Sequence, residues 1–339
     1  FSVFWSVDIS KSLRGLERQL PFLLIPMAFW MMPKITKRQF SKALSLFSYG
    51  LALFGIWMML RSIYRGMIGQ GTWVYTYHYL VDIFDLNAIY ISVMTALSLL
   101  FMLFYKKKTL RNVLTIIALA LFLVLLSSKN NIAITSICVV IGLFISNVKS
   151  VKKWWGLLLF IFGLAAIIFY GPLNKRWNAE TGSNITEAWT AEVFSDVYPW
   201  TVTNLRVFQA RVFYELFQED EVWFTGYGIN AVQKKISDKQ NDYSLYCGYN
   251  TYNFHNQYIQ TFAELGVFGF ILLIGLFYIL IRLYLMYKEP FVLFIILVMG
   301  FVFLTETYIW RQRGLFHFLI LFGMVVSWLP FHKNKEGKV

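Results

Sequence analysis

Charge is scarce in this chain, and what there is leans to one sign. Only 14% of the 339 residues are Asp, Glu, Lys or Arg, where a soluble domain carries about 25%. With 58% hydrophobic residues, too little polar surface is left for a free-standing globular domain. Cysteine and histidine are few as well. Cys138 lies in an apolar run and Cys247 in a long hydrophilic stretch, so they build no disulfide scaffold, and their expected difference in depth argues against pairing. His78, His255, His317 and His332 are scattered. There is no CxxC, no HExxH and no EF-hand spacing, so neither a protein-built metal centre nor a cofactor is expected. The chain opens at Phe1 without a methionine or a signal-like segment, and further membrane helices are expected ahead of it.

What the chain has in abundance is long apolar stretches. Runs able to approach or span roughly 30 Å of hydrocarbon occur at 20–33, 41–60, 87–105, 111–128, 130–148, 154–172, 257–286, 290–309 and 314–331. The expected fold is therefore all-α, a polytopic transmembrane helix bundle with one long, outward-facing and partly helical loop. Its expected divisions are 1–172 (membrane helices with short loops), 173–255 (the loop) and 256–339 (the last membrane helices and a short tail).

The net charge of +13 is spread in a way that sets topology. Lys34, Lys37, Arg38 and Lys42 follow the first run; Lys106, Lys107, Lys108 and Arg111 follow the third; Lys149, Lys152 and Lys153 follow the fifth. Arg282 and Lys288 close the seventh, and Lys333, Lys335 and Lys338 follow the ninth. Every second connection is basic. By the positive-inside rule those connections are cytoplasmic, and 61–86, 128–131, 173–255 and 309–313 face outward. The basic residues flank helix ends and form no groove, so no nucleic-acid partner is expected.

A connection as long as 173–255 needs a reason, since loops beyond about 15 residues are usually functional or disordered. Trp177, Trp189, Tyr198, Trp200, Phe213, Tyr214, Phe217, Trp223 and Phe224 argue against disorder. After Pro199-Trp200 the stretch TVTNLRVFQARVFYELFQEDE reads as an amphipathic helix. Arg206 shares a face with Ala210, Phe213 and Phe217, while Asn204, Phe208, Arg211, Glu215 and Gln218 share a second face. Arg211 has Glu215 one turn away and reads as a solvated pair. Arg206 on the apolar side either snorkels at the helix start or needs an anionic partner. In FTGYGINAV, Gly226 and Gly228 mark a turn; no strand precedes them and the third glycine of a dinucleotide fingerprint is missing.

In FHNQYIQTFAELGVFGF, His255 stands where a helix begins. A histidine at a membrane interface serves structure as readily as chemistry, but the positive end of a helix disfavours the imidazolium, and a neutral ring can accept a proton. Asn256, Gln260 and Glu264 continue as one polar stripe for about 12 Å into the membrane at 1.5 Å per residue, and intramembrane ionisable groups are functional candidates. Gly266 and Gly269 read as a packing device for a neighbouring helix.

These segments together resemble a family. R206-VFQARVFYELF, the turn G226-Y-G228 and F-H255-N256-QYIQTFAE264-LGVFG are similar to the large outer loop and following helix of the O-antigen ligase and O-antigen polymerase superfamily. LLSSKNNIAI, Leu125 to Ile134, stands where that family has an outer Ser-Arg-x-Gly turn, and LTETYIWRQRGLFHF, Leu304 to Phe318, resembles its acidic and basic segment before the last helix. Two departures are Lys129 in place of the turn's arginine, which keeps the charge but loses the bidentate fork, and Asn131 in place of the small residue after it.

The resemblance implies a membrane glycosyltransferase of the bacterial inner membrane with its site facing the periplasm. It would transfer a glycan from an undecaprenyl-diphosphate-linked donor to an acceptor hydroxyl, inverting the anomeric centre without metal or other cofactor. On it, His255 is the general base and Arg206 the catalytic cation. Lys129, Arg211, Asn256, Gly226, Gly228, Glu264, Glu306 and Arg311 are the residues expected to bind and orient substrate. A ligase acting on a lipid A-core acceptor is favoured over a polymerase joining carrier-linked repeats. A lipid-saccharide transporter would predict repeated halves and midplane charges, and the sequence has no internal repeat.

Overall fold

The computed structural model describes residues 2–83, 86–145, 178, 180–194, 198, 200–245 and 252–336. No strand occurs among them, and the fold is all-α. In chain order the helices are α1 (Ile9–Gln19), α2 (Pro21–Met31), α3 (Lys37–Met67), α4 (Ala88–Tyr105), α5 (Leu110–Leu125) and α6 (Lys129–Ile145). There follow α7 (Ile185–Thr190), α8 (Val202–Asp220) and α9 (Gln233–Asp242). The last three are α10 (Gln257–Tyr287), α11 (Pro290–Phe303) and α12 (Gln312–Glu336). Four of these, α3, α4, α10 and Gln312–Leu329 of α12, are long and apolar enough to cross a membrane. The expected run at 154–172, the basic residues 149–153, Trp177, Pro199 and Cys247 lie outside the described residues.

The chain divides into two compact units. One comprises Phe29–Trp177, Ile281–Val302 and Leu321–Val339. Here the helix starts carry the caps that their sequences announce: Thr36 forms a capping box with Gln39 at α3, Asn87 caps α4 and Thr109 caps α5, each satisfying a backbone N–H that a helix start leaves open. Burial ranks the helices, with 72% of the apolar window of α4 enclosed against 39% for α3. Close approach is made by glycine: a side chain at Gly55 would meet Phe122, and one at Gly142 would meet Phe104. Asn131, 1% exposed, donates from Nδ2 to the Ile89 carbonyl and to Ser92 Oγ, tying α6 to α4. Its polarity is thus used inside the bundle.

The other unit comprises Phe1–Ala28, Asn178–Leu280 and Phe303–Ile320. The hydrophilic stretch is folded around an aromatic core of Phe194, Phe208, Phe217, Tyr227, Tyr243 and Phe254 with Val212, Leu216 and Ile236. The N-terminal segment joins it: Trp5 Nε1 donates to the Thr225 carbonyl at 3.0 Å, Val7 N–H to the Tyr227 carbonyl at 3.1 Å, and Ser12 Oγ to the Ile229 carbonyl at 2.7 Å.

Three sequence expectations need correction. The eighth apolar run is α-helical only to Phe303; residues 304–311 leave the α-helix, with a 3-10 turn at Tyr308–Trp310, and their polar groups bond to other segments. The buried stripe of α8 passes through Asn204, Phe208, Val212 and Leu216, on the side assigned to solvent, because the loop supplies its own core there. Finally, α10 is not one rod. At Gly266 (φ 64°, ψ −161°) the helix breaks, and the close partner at this glycine is the backbone of the 222–228 turn, not a helix. A Cβ on Gly266 would lie 2.1 Å from the Phe224 carbonyl oxygen. Tyr227 N–H donates to the Ala263 carbonyl at 2.8 Å, Gly228 N–H to the Glu264 carbonyl at 2.9 Å, and Val267 N–H to the Trp223 carbonyl at 3.0 Å. The turn thus replaces the ladder bonds that the break removes. The stretch after the break, Val267–Tyr287, is about 31 Å long at 1.5 Å per residue, and Gln260 and Glu264 lie before the break.

Candidate active site

Three segments of the second unit converge: the start of α8, residues 253–257 leading into α10, and residues 304–310 between α11 and α12. The first positions Arg206, the second His255, and the third Glu306. His255 has φ +47°, a left-handed conformation uncommon for a residue with a side chain. Asn253 holds it there, its Oδ1 accepting the His255 N–H at 2.9 Å while its Nδ2 donates to Thr307 Oγ1 at 3.0 Å. Asn256 Oδ1 accepts the Ile259 N–H at 3.0 Å, and its Nδ2 donates to the Leu304 carbonyl at 3.2 Å. Gln257 Oε1 accepts the backbone N–H groups of Ile309 and Trp310 at 3.0 and 3.2 Å. The ends of the two segments are thereby fixed to each other through backbone groups.

Glu306 is the hub. Only 7% exposed, it sets one carboxylate oxygen 3.8 Å from Arg206 Nη2 and the other 3.6 Å from His255 Nδ1. Arg206 also donates from Nε and Nη2 to the Thr305 carbonyl at 3.3 and 3.0 Å. An anion beside Nδ1 favours the tautomer that carries its proton there, which leaves Nε2 as the acceptor. His255 Nε2 is buried and meets no protein hydrogen-bond partner among the described residues. One turn along α8 from Arg206, Gln209 is fully buried, and both of its amide atoms likewise meet no protein partner.

The remaining candidates separate. Glu264 is buried and accepts hydrogen bonds from Gln260 Nε2 at 2.7 Å and Trp310 Nε1 at 2.8 Å, a contact that holds α10 against the 304–310 segment. Gly226 and Gly228 act through the backbone at the α10 break. Arg311 is exposed beside Trp310. Lys129 opens α6 in the other unit. Arg211 does pair with Glu215, at 2.7 Å, but the pair is not solvated: the arginine side chain is 11% exposed, donates to the Ala191 carbonyl at 2.7 Å and lies over the Tyr243 ring at 4.6 Å. Burial alone would raise the Glu215 carboxyl, yet hydrogen bonds from Tyr243 and Arg211 and the charges of Arg211 and Lys239 hold it below its ordinary range. Burial and the same carboxylate push the Tyr243 hydroxyl up to about 12.

Sequence reasoning named Glu306 and missed its place between Arg206 and His255. It missed Asn253, Gln257 and Gln209 altogether. A polar residue in an apolar helix stretch, as in VFQARVF, was the available signal for Gln209.

The chain is thus an all-α, polytopic membrane protein in which a histidine, a carboxylate and an arginine come together in the unit that holds the hydrophilic stretch. Residues 114–274 match the family model described as O-antigen ligase, so this stretch is similar to the O-antigen ligase and polymerase superfamily of membrane glycosyltransferases. The matched span holds Arg206 and His255, while Glu306 and Arg311 lie beyond it. A comparison with curated proteins finds no match.

Proposed function

We propose that this protein is a ligase of the superfamily, moving a glycan from a polyprenyl diphosphate, undecaprenyl diphosphate in bacteria, to a lipid A-core hydroxyl on the periplasmic side of the inner membrane. The observation that carries the mechanism is Glu306 between Arg206 and His255. The acceptor oxygen attacks the anomeric carbon opposite the diphosphate. As the new C–O bond forms, the bond to the diphosphate oxygen breaks, and that leaving group takes the electron pair. The acceptor proton passes to His255 Nε2, with Glu306 holding the ring and offsetting the positive charge it gains, as in a carboxylate-backed histidine base. Arg206 supplies positive charge where the leaving group develops its own. Inversion follows from a single displacement.

The N-terminal segment bonds to the 225–229 turn, so the two share one side of the membrane, whichever side that is. Six of the nine apolar runs separate the two in sequence, an even number, as required if each crosses once.

The test is transfer by purified protein in proteoliposomes, with a polyprenyl-diphosphate oligosaccharide as donor and either a lipid A-core acceptor or a second carrier-linked repeat. Glycan on the lipid core supports the ligase; chain growth on the carrier marks a polymerase. His255→Asn should lower turnover by roughly 10²–10⁴-fold, since an amide cannot take up the proton. Near-normal turnover in that variant removes histidine from proton transfer.

A further inference from the structure

Away from this site, in the unit built on α3 to α6, Arg38 and Lys42 of α3 face Lys106 after α4 and Arg111 of α5 across a cavity of about 370 Å³. None of the four cations forms a salt bridge among the described residues, although Asp and Glu pair with Arg or Lys elsewhere in the molecule. The cluster is built, not merely crowded. Lys106 Nζ donates to Ser41 Oγ at 2.8 Å, and the Arg111 guanidinium lies over the Tyr49 ring at 4.6 Å. Burial, followed by the nearby Arg111 charge, makes the Lys106 ammonium harder to keep.

Two apolar stripes lead away from the cavity. On α3, Leu46 lines it, and Leu53 and Leu60 follow at seven-residue intervals, all exposed. On α5, Leu110, Leu114, Ile117 and Leu121 form a second exposed row at helical spacing. A soluble anion has no use for such rows, whereas acyl chains do.

We infer that the Arg38, Lys42, Lys106 and Arg111 cavity binds the phosphate of an anionic phospholipid headgroup, whose chains lie along the exposed rows of α3 and α5. The shared chemistry is a phosphate oxygen anion held by unpaired cations, and the charge complementarity together with the two rows commits the site to a lipid source. The proposal is independent of the transfer reaction.

The test uses the full chain in detergent, with phosphatidylglycerol, phosphatidylcholine and inorganic phosphate as separate probes, read by native mass spectrometry and by melting temperature. Phosphatidylglycerol should be retained and raise the melting temperature, while phosphatidylcholine should do neither and phosphate should not displace the lipid. Each cation removed should weaken phosphatidylglycerol binding about fivefold, the usual worth of one basic residue near an anionic surface. Lys106→Ala with Arg111→Ala is the direct variant; Arg38→Gln with Lys42→Gln, at exposed positions, serves where the first does not fold. Equal binding of the two lipids, or unchanged phosphatidylglycerol binding in the folded variant, overturns the site. Displacement of the lipid by millimolar phosphate overturns the lipid assignment.

Discussion

Replacing Gly266 with alanine is the sharpest test of how the loop is joined to α10. The new methyl would sit 2.1 Å from the Phe224 carbonyl oxygen and 2.3 Å from its carbon, and backbone cannot swing aside like a flexible side chain. The backbone angles at Gly266 also fall in a region that only glycine occupies freely, a strain of about 1–3 kcal/mol for any other residue. The protein has two ways to respond. It can keep the turn in place and bear clash plus strain, or release the three backbone hydrogen bonds between the turn and the helix, each worth about 0.5–1.5 kcal/mol net. Since the cheaper route is taken, the loss should be about 2–4 kcal/mol. Gly275, on the same helix, is the control: a Cβ there meets nothing within 4 Å, and alanine in a helix gains about 0.5–1 kcal/mol over glycine. Thermal melting in detergent, followed by tryptophan fluorescence and by protease nicking of the loop, should show Gly266→Ala loosened and Gly275→Ala unchanged or firmer. Matching behaviour in the two variants would refute the splice.

Three further outcomes follow from the site and the loop. Arg206→Ala should abolish transfer with the loop still folded, whereas Arg211→Ala should lower melting by about 2–4 kcal/mol through loss of hydrogen bonds made by a charged group, with turnover per folded molecule largely kept; the reverse pattern would exchange their roles. Because the folded Glu215 carboxyl is held below its ordinary value of 4.5, its stabilisation is complete above that value and is lost as pH falls through the folded one. Loop melting should therefore drop on acidification below about pH 4.5, and Glu215→Gln should flatten that dependence. A cysteine placed at exposed Lys234 should react with an impermeant maleimide in intact spheroplasts, and labelling only after lysis would reverse the orientation.

Much of the fold could be read in advance because membrane helices announce themselves by composition. The runs at 41–60, 87–105 and 257–286 correspond to α3, α4 and α10, and their polar flanks already supply caps such as Asn87. What stayed hidden depends on distant segments. Glu306 is far from His255 in sequence and sat in a stretch whose hydropathy continued a helix, so only three-dimensional proximity could show that it faces both Arg206 and His255. The phase of α8 was missed for a related reason. Its inner stripe begins at Asn204, a residue that pattern assigns to water, and the aromatic residues that enclose that stripe come from Phe194, Tyr227 and Tyr243, on either side of the helix in sequence. The break in α10 was half visible: Gly266 was marked as a place of close approach, but nothing local says that the visitor is a carbonyl.

The splice has a consequence for how relatives of such a protein can diverge. With Gly228 bonded to the Glu264 carbonyl and Tyr227 to the Ala263 carbonyl, the chain between them leaves and returns at two fixed points, like a bracket screwed to a wall at both ends. The entropy of closing such an excursion rises by only about 0.6 kcal/mol for each doubling of its length. Its middle can therefore lengthen, shorten or change composition at little cost, while Asn253 and His255, just ahead of the return point, keep their register with Glu306.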